Sequence, residues 1–194
     1  MPGVLVRHVS TGSARRLKVG ARSVLSAIGK APVAGPVAVG RLGLAGDEQA
    51  DLNVHGGLDK AVYAYPAVHY AFWQAQRRER GVSLFDEELP PGFMGENLTV
   101  DGPLEHEVFV GDELHFPDCV LRVTAPREPC FKFPAVMGFA EAGRAMALAG
   151  CCGYYLAVDR SGSIVAGQQA TLVPGRRSLS IAQSFAAKFA RHSR

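Results

Sequence analysis

The sequence has no long apolar run, few cysteines and none of the motifs of several large enzyme classes. No run of uncharged residues reaches the roughly eighteen that a membrane-spanning helix needs, and no secretory leader is recognisable, so we expect a cytoplasmic protein without a membrane segment. Four cysteines among 194 residues indicate a reducing compartment rather than a disulfide framework. The G-x-S-x-G and G-x-x-x-x-G-K-[ST] motifs are absent, which argues against serine hydrolases and P-loop proteins.

Acidic residues are missing from both ends of the chain. Seven Lys or Arg and no acid precede Asp47, and five Lys or Arg and no acid follow Gly175. The basic residues are not interleaved with exposed aromatics, and no nucleic-acid-binding module accompanies them, so we expect no nucleic-acid partner. A basic start is better explained as the lining of a pocket for one anionic ligand.

Many short apolar runs bounded by Gly, Pro or Asp are present. Apolar residues make up 47% of the chain, enough for a sizeable core, and 22 glycines with 12 prolines indicate many turns. This pattern predicts a mostly β fold, a barrel or a sandwich, with helices within residues 66–80 and 134–149. The predicted strands are residues 3–9, 22–28, 36–43, 60–65, 97–101, 106–116, 119–124, 153–159 and 164–173.

A third helix is predicted at the C-terminus, where Ile181, Phe185 and Phe189 recur every fourth residue and form one apolar stripe. We therefore divide the chain into a β domain, residues 1–175, and a short basic amphipathic helix within residues 176–194. Packing of the stripe onto the domain is one explanation. Contact with a partner or with a second copy in a homodimer is the other.

Two clusters have side chains suited to ligand binding. Residues 46–60 contain several carboxylates and a pair of glycines that lets the backbone approach a ligand closely. Residues 92–100 contain Gly95, Glu96 and Asn97, and by residue type alone they form a tight turn that enters a strand. The candidates in the first cluster are His55, Gly56, Gly57 and Lys60.

The third cluster surrounds Cys130, in a loop that two prolines stiffen. Arg127 and Lys132 favour the thiolate, which is the form that attacks substrates or binds soft metals. By residue type alone, Cys130 is a metal ligand, an inert core thiol, or the nucleophile of a thiol hydrolase with His55 or His69 as its base.

In these clusters the sequence resembles the MOSC domain family, named after the C-terminal domain of molybdenum cofactor sulfurases, and in particular its stand-alone YiiM-like bacterial branch. The resemblance runs over about residues 20–175 and depends on the order and spacing of several motifs. These include Leu42-Gly43-Leu44-Ala45-Gly46-Asp47, His55-Gly56-Gly57-Leu58-Asp59-Lys60, Gly95-Glu96-Asn97-Leu98 and Pro126-Arg127-Glu128-Pro129-Cys130.

This resemblance implies a closed or nearly closed β-barrel of the MOSC type, similar to the pyruvate-kinase barrel, with a few peripheral α-helices. It implies that Cys130 binds the molybdenum of a molybdopterin cofactor, whose phosphate and dithiolene need cationic partners. Asn97 is then a hydrogen-bond donor to the pterin or to a metal oxo group. The cofactor-binding residues that it implies are Lys60, Arg127, His55, Gly56, Gly57 and Asn97.

The implied activity is molybdenum-dependent reduction of small N-hydroxylated compounds, such as hydroxylaminopurine-type bases, with Cys130 as the catalytic residue. The chain shows no flavin, nicotinamide or iron–sulfur motif, so a separate reductase is expected to supply electrons. The alternative is a carrier that transfers sulfur as a persulfide or delivers molybdenum cofactor without turnover, through the same cysteine.

The sequence departs from the family pattern at Cys151 and Cys152, where a basic residue and a threonine usually stand. If that basic residue helps to hold the cofactor, binding is expected to be weaker here unless another residue replaces it. The C-terminal extension, from Ser178 onward, is also short and leaves room for one helix.

Overall fold

The computed structural model describes residues 3–49, 56–83 and 87–192. These residues contain thirteen strands and four α-helices. None of the described helices is both long enough and apolar enough to cross a bilayer. The strands are β1 (Gly3–Thr11), β2 (Arg15–Val19), β3 (Arg22–Ser26), β4 (Ala31–Pro32), β5 (Val37–Gly40), β6 (Gly43–Leu44), β7 (Val62–Pro66), β8 (Leu98–Asp101), β9 (Glu113–His115), β10 (Val120–Pro126), β11 (Tyr154–Arg160), β12 (Gly162–Ile164) and β13 (Gln169–Val173). The helices are α1 (Tyr70–Glu79), α2 (Phe133–Met137), α3 (Ala142–Ala149) and α4 (Ile181–His192).

Seven of these strands close into a barrel, in the order β1, β13, β9, β10, β11, β7, β8 and back to β1. Neighbouring strands are antiparallel except β7 and β8, which are parallel and are connected through α1. The pairing of Val4 in β1 with Ala170 in β13 completes the ring, so these strands leave no open sheet edge. The predicted β-barrel with peripheral helices is therefore confirmed.

The barrel core follows the two-residue period of its strands. In β13, Ala170 and Leu172 are buried while Gln169 and Thr171 are exposed. The same alternation places Val4 and Val6 of β1 in the core. Burial of alternate apolar side chains fixes the strand register, because a slip by one residue would turn this apolar set outward.

Several elements differ from the sequence prediction. The helix expected over residues 134–149 is two helices, α2 and α3, because Gly138 adopts a left-handed conformation with φ of 80° and ends α2. The helix expected from Pro66 starts as a 3-10 turn, Ala67–His69, before α1. Strand β2 was not predicted, because its residues are mostly basic and it pairs with β3 outside the barrel.

The C-terminal helix packs on its own chain. Its first turn is capped reciprocally: the Gln183 N–H donates to Ser180 Oγ, and the Ser180 N–H donates to Gln183 Oε1. Ile181 and Phe185 are buried in the core, and Lys188 forms a 2.5 Å ion pair with Glu128 in the loop that carries Cys130. The apolar stripe of α4 is therefore covered by the β domain.

Gly153, just before β11, is expected to be far less tolerant of substitution than Gly150. Both residues have positive φ, but a Cβ on Gly153 would lie 2.5 Å from Ala64 O, whereas nothing lies within 4 Å of a Cβ on Gly150. We expect Gly153→Ala to cost more than about 3 kcal/mol and Gly150→Ala about 1 kcal/mol in free energy of unfolding. Urea denaturation measures both, and equal losses would contradict the close contact.

Candidate functional site

A cleft opens where the end of β3, the loops after it and the Cys130 loop converge on β7 and β11. Of the residues singled out in the sequence, Gly56, Lys60, Asn97, Arg127 and Cys130 all line it. Gly57 lies beside the cleft without lining it, and His55 lies outside the described residues. The structure thus brings together predicted site residues that are up to 74 positions apart in the sequence, from Gly56 to Cys130.

Cys130 is half-buried in the loop between β10 and α2. A proline at position 129 disfavours a helical conformation of the residue before it, and the Cys130 carbonyl accepts a 2.9 Å hydrogen bond from the Phe133 N–H as α2 begins. Lys132 Nζ donates to the Leu25 carbonyl at 3.0 Å and ties this loop to the end of β3. The thiol is therefore held on a stiff segment at the wall of the cleft.

Arg127 is a buried cation, with 3% of its surface exposed. Its guanidinium lies 4.6 Å from the Phe133 ring centroid and 5.8 Å from that of Tyr63. No ion pair in the described part of the chain includes it. Burial lowers the pKa of Arg127, but the ionised forms of Tyr63, Tyr155 and Cys130 attract the cation, and its pKa lies above the ordinary value. A permanent positive charge therefore lies at the cleft, and no carboxylate among the described residues forms an ion pair with it.

Lys60 provides a second cation at the cleft. It ends a 3-10 turn, Leu58–Lys60, directly before β7, and its ammonium lies 5.6 Å from the ring centroid of Tyr155. Tyr155 and Tyr63 come from neighbouring strands, and their rings are 5.4 Å apart. Two phenol rings therefore separate and orient the two cations, Lys60 and Arg127, at one wall of the cleft.

Gly56 adopts φ of 126°, and a Cβ at this position would lie 2.2 Å from Gln49 Oε1. The same oxygen accepts a 3.0 Å hydrogen bond from the Gly57 N–H, while Gln49 Nε2 donates to the Leu42 carbonyl at 2.9 Å. The paired glycines thus let the backbone pass close to Gln49, which also lines the cleft.

Asn97 is a positioning residue in this geometry. Its Nδ2 donates to Asp47 Oδ2 at 2.9 Å and to the Ser10 carbonyl at 3.2 Å, and its Oδ1 accepts from the Tyr63 N–H at 3.0 Å. Both amide hydrogens are used within the protein, so the expected hydrogen bond from Asn97 to a cofactor has no donor left in this conformation.

Two features of the site were not identified from the sequence. Lys30 and Asp47 form an ion pair whose side chains are almost fully buried, and both line the cleft. Glu96 is buried and accepts hydrogen bonds from Tyr70, Thr99 and the turn before it; burial raises its pKa. The Gly46-Asp47 and Gly95-Glu96-Asn97 motifs contained these acids, but sequence spacing alone does not reveal their partners.

His69 lies away from the cleft, where its Nε2 is 2.9 Å from Glu105 Oε2 in a mostly buried pair. Glu105 also accepts a 2.7 Å hydrogen bond from the Gly153 N–H. His69 therefore anchors the start of β11 and does not serve as a base for Cys130.

Cys151 and Cys152 are buried and do not line the cleft. Their carbonyls accept hydrogen bonds from the hydroxyls of Tyr65 and Tyr63, at 3.1 and 2.8 Å. Burial raises the pKa of Cys151 to about 12 and raises that of Cys152 as well. Both side chains are therefore protonated core thiols, and their backbone positions the tyrosines below the cleft.

These two thiols predict loss of stability at alkaline pH. Since their pKa values are higher in the folded protein than the ordinary 9.0, the native state keeps protons that the unfolded state releases above that pH. Each thiol then lowers the free energy of unfolding by about 1.4 kcal/mol per pH unit until its own native pKa is reached. Cys151→Ala/Cys152→Ala is expected to show a shallower decline in urea denaturation between pH 9 and 11; an unchanged slope would contradict this.

Sequence comparison identifies the family. The MOSC domain model matches residues 51–171. YflK of Bacillus subtilis is 33% identical over 91% of this chain and 76% of its own length, and YiiM of Escherichia coli is 36% identical over 76% of this chain. The alignment spans 64% of the length of the latter. A Gibberella moniliformis protein named Reductase is 33% identical over 89% of this chain, which spans 29% of that protein.

Solved structures agree. The crystal structure of YiiM from Geobacillus stearothermophilus superimposes with a TM-score of 0.76 at 28% identity, over 98% of this chain and 86% of that one. YiiM from Escherichia coli gives a TM-score of 0.69 at 26% identity, over 96% of this chain and 76% of that one. The predicted family is confirmed: the chain belongs to the MOSC domain family, which is associated with molybdenum cofactor binding.

Proposed function

We propose that this chain binds molybdenum cofactor in the cleft, with Cys130 as the metal ligand, and reduces N-hydroxylated compounds. One observation carries the proposal: the buried Arg127 guanidinium lacks a described carboxylate partner and lines the same cleft as the Cys130 thiol. A soft sulfur ligand beside an uncompensated buried cation suits an anionic, sulfur-containing metal cofactor.

The donor set fits that cofactor. Within the described residues, no three His, Cys, Asp or Glu side chains converge as they would to bind a metal ion without other ligands. Cys130 therefore suits a metal that arrives with its own ligands, such as the two sulfurs of a dithiolene.

Each residue then has a separate task. Cys130 would hold the metal, Arg127 and Lys60 would bind anionic groups, and Gly56 lets the backbone pass close to Gln49 at the wall of the cleft. Asn97 and Asp47 hold the loop above Tyr63 in place. The bound cofactor supplies the two-electron redox centre, and the net reaction converts an N–OH group, two protons and two electrons into N–H and water.

The relatives support redox chemistry at the level of the family. One relative carries the name Reductase, although this chain spans only 29% of it. A separate reductase is proposed as the source of electrons, and a small N-hydroxylated molecule as the substrate.

Turnover tests the proposal. The protein, purified from a host that makes molybdenum cofactor, is mixed with 6-N-hydroxylaminopurine and reduced methyl viologen, and the amine product is quantified by mass spectrometry. We expect many product molecules per bound molybdenum. Cofactor-loaded protein that never exceeds one product per chain would contradict the enzyme and favour the carrier, whose mark is stoichiometric transfer of sulfur or of the cofactor.

A further inference from the structure

The two-stranded ribbon formed by β2 and β3 is positively charged and lies beside the mouth of the cleft. It carries Arg15, Arg16, Lys18 and Arg22, all exposed. No ion pair among the described residues includes any of them, and no acid occurs before Asp47 in the sequence. Within the described part of the chain, these four cations therefore form no ion pair.

The ribbon register places charge and apolar surface on one face. Arg16 is paired with Leu25 and Lys18 with Ser23, so all four side chains point to the same side. Leu25 is 55% exposed on this side. The strand β3 ends at Ser26, which points to the opposite side of the ribbon and lines the cleft, so this face lies beside the cleft mouth rather than inside it.

A second exposed apolar side chain lies next to the ribbon. Phe131, directly after Cys130, is 64% exposed. The hydrogen bond from Lys132 Nζ to the Leu25 carbonyl joins the two segments, and a shallow groove runs between Lys18 and Phe131. We call Arg16, Lys18, Leu25 and Phe131 the basic ribbon face.

We propose that the basic ribbon face docks an acidic protein that delivers electrons to the cleft. This inference rests on the proposed reductase function, in which two electrons per turnover must enter from outside. Opposite charge steers a short-lived encounter and raises its rate, and electron-transfer interfaces are small, with a few exposed apolar side chains surrounded by charge. Exposed Leu25 and Phe131 at the centre of the face favour a protein partner over a phosphate backbone.

Binding tests the surface without relying on activity. The probes are a plant-type ferredoxin and a flavodoxin, both acidic one-electron carriers, and basic cytochrome c is the opposite-charge comparison. Surface plasmon resonance compares the cofactor-loaded native protein with Arg16→Glu/Lys18→Glu. We expect at least one acidic carrier to bind the native protein and to bind the Arg16→Glu/Lys18→Glu variant about tenfold more weakly. The affinity for the native protein is expected to fall as salt is added.

The matched control is Arg160→Glu/Arg176→Glu, which makes the same change of net charge at exposed positions outside the ribbon. It is expected to bind the carriers within about twofold of the native protein. Equal weakening by both variants, or failure of both carriers to bind, would overturn the proposal. The proposal would also be overturned if neither carrier bound and a short DNA duplex bound the native protein but not Arg16→Glu/Lys18→Glu.

Failure of the proposed function gives a different result. Reduced methyl viologen is a small donor that needs no docking surface. If the chain is not a reductase, it shows no turnover with this donor, whether or not the acidic carriers bind. If the chain is a reductase but does not use this face for docking, both double variants turn over with methyl viologen. The native protein and Arg16→Glu/Lys18→Glu then accept electrons from reduced ferredoxin equally well.

Discussion

Cys130→Ser is expected to reduce bound molybdenum to less than about a tenth of the native amount and to abolish turnover, because an alcohol is a much poorer ligand than a thiolate for a soft metal. The substitution changes one atom at a half-buried site, so the fold is expected to persist. Elemental mass spectrometry gives the molybdenum content, and oxidative fluorescence gives the pterin content.

Cys119→Ser is the matched control, since Cys119 is a buried core thiol next to Ser163 and does not line the cleft. It is expected to keep its cofactor. If Cys130→Ser retained as much molybdenum as the native protein, the ligand assignment would be wrong. If the native protein itself bound no cofactor, transfer of a persulfide by Cys130 would become the better explanation.

Arg127→Met is expected to weaken cofactor binding strongly and to leave the apo protein as stable as the native one, or more stable. A charge-assisted hydrogen bond to an anion contributes about 1.5–3 kcal/mol, which corresponds to a loss of affinity of about 10- to 150-fold. In the apo protein, however, the buried guanidinium has no described carboxylate partner, and methionine removes its desolvation cost while filling a similar volume.

The opposite signs of these two effects distinguish a ligand-binding residue from a structural one. The matched control is Arg122→Met, in β10 just before Arg127, which breaks an exposed ion pair with Asp159. It is expected to change neither the cofactor content nor the stability of the apo protein by much. Cofactor content and urea denaturation of the apo protein measure the two effects. A large loss of stability in Arg127→Met, with cofactor content unchanged, would show that Arg127 serves the fold alone.

The barrel and most of the cleft were predictable because they depend on local patterns. Short apolar runs bounded by Gly, Pro or Asp identified strands such as β1, β10, β11 and β13, and glycines followed by acids marked the loops that line the cleft. The Cys130 loop stood out because two prolines and two cations surround a single thiol. Each of these signals lies within a window of about ten residues, which is where sequence patterns are informative.

What could not be predicted depends on contacts between distant residues. Asn97 has the same local sequence whether it faces a ligand or spends both amide hydrogens on Ser10 and Asp47. Likewise, the contacts of Arg77 with Glu87 and of His69 with Glu105 join residues 10 and 36 positions apart, and local sequence patterns do not reveal them. The break at Gly138 was missed because a glycine within a helical pattern is often tolerated.

The closure of the barrel also sets when the cleft is completed during synthesis. Val4 in β1 pairs with Ala170 in β13, so the ring joins two strands that are far apart in the sequence, and β13 is synthesised much later than β1. Strand β1 also holds the Ser10 carbonyl to which Asn97 donates. Until β13 has emerged, β1 lacks one of its two neighbours and the barrel remains open. The barrel that supports the cleft is therefore complete only after β13 has been synthesised.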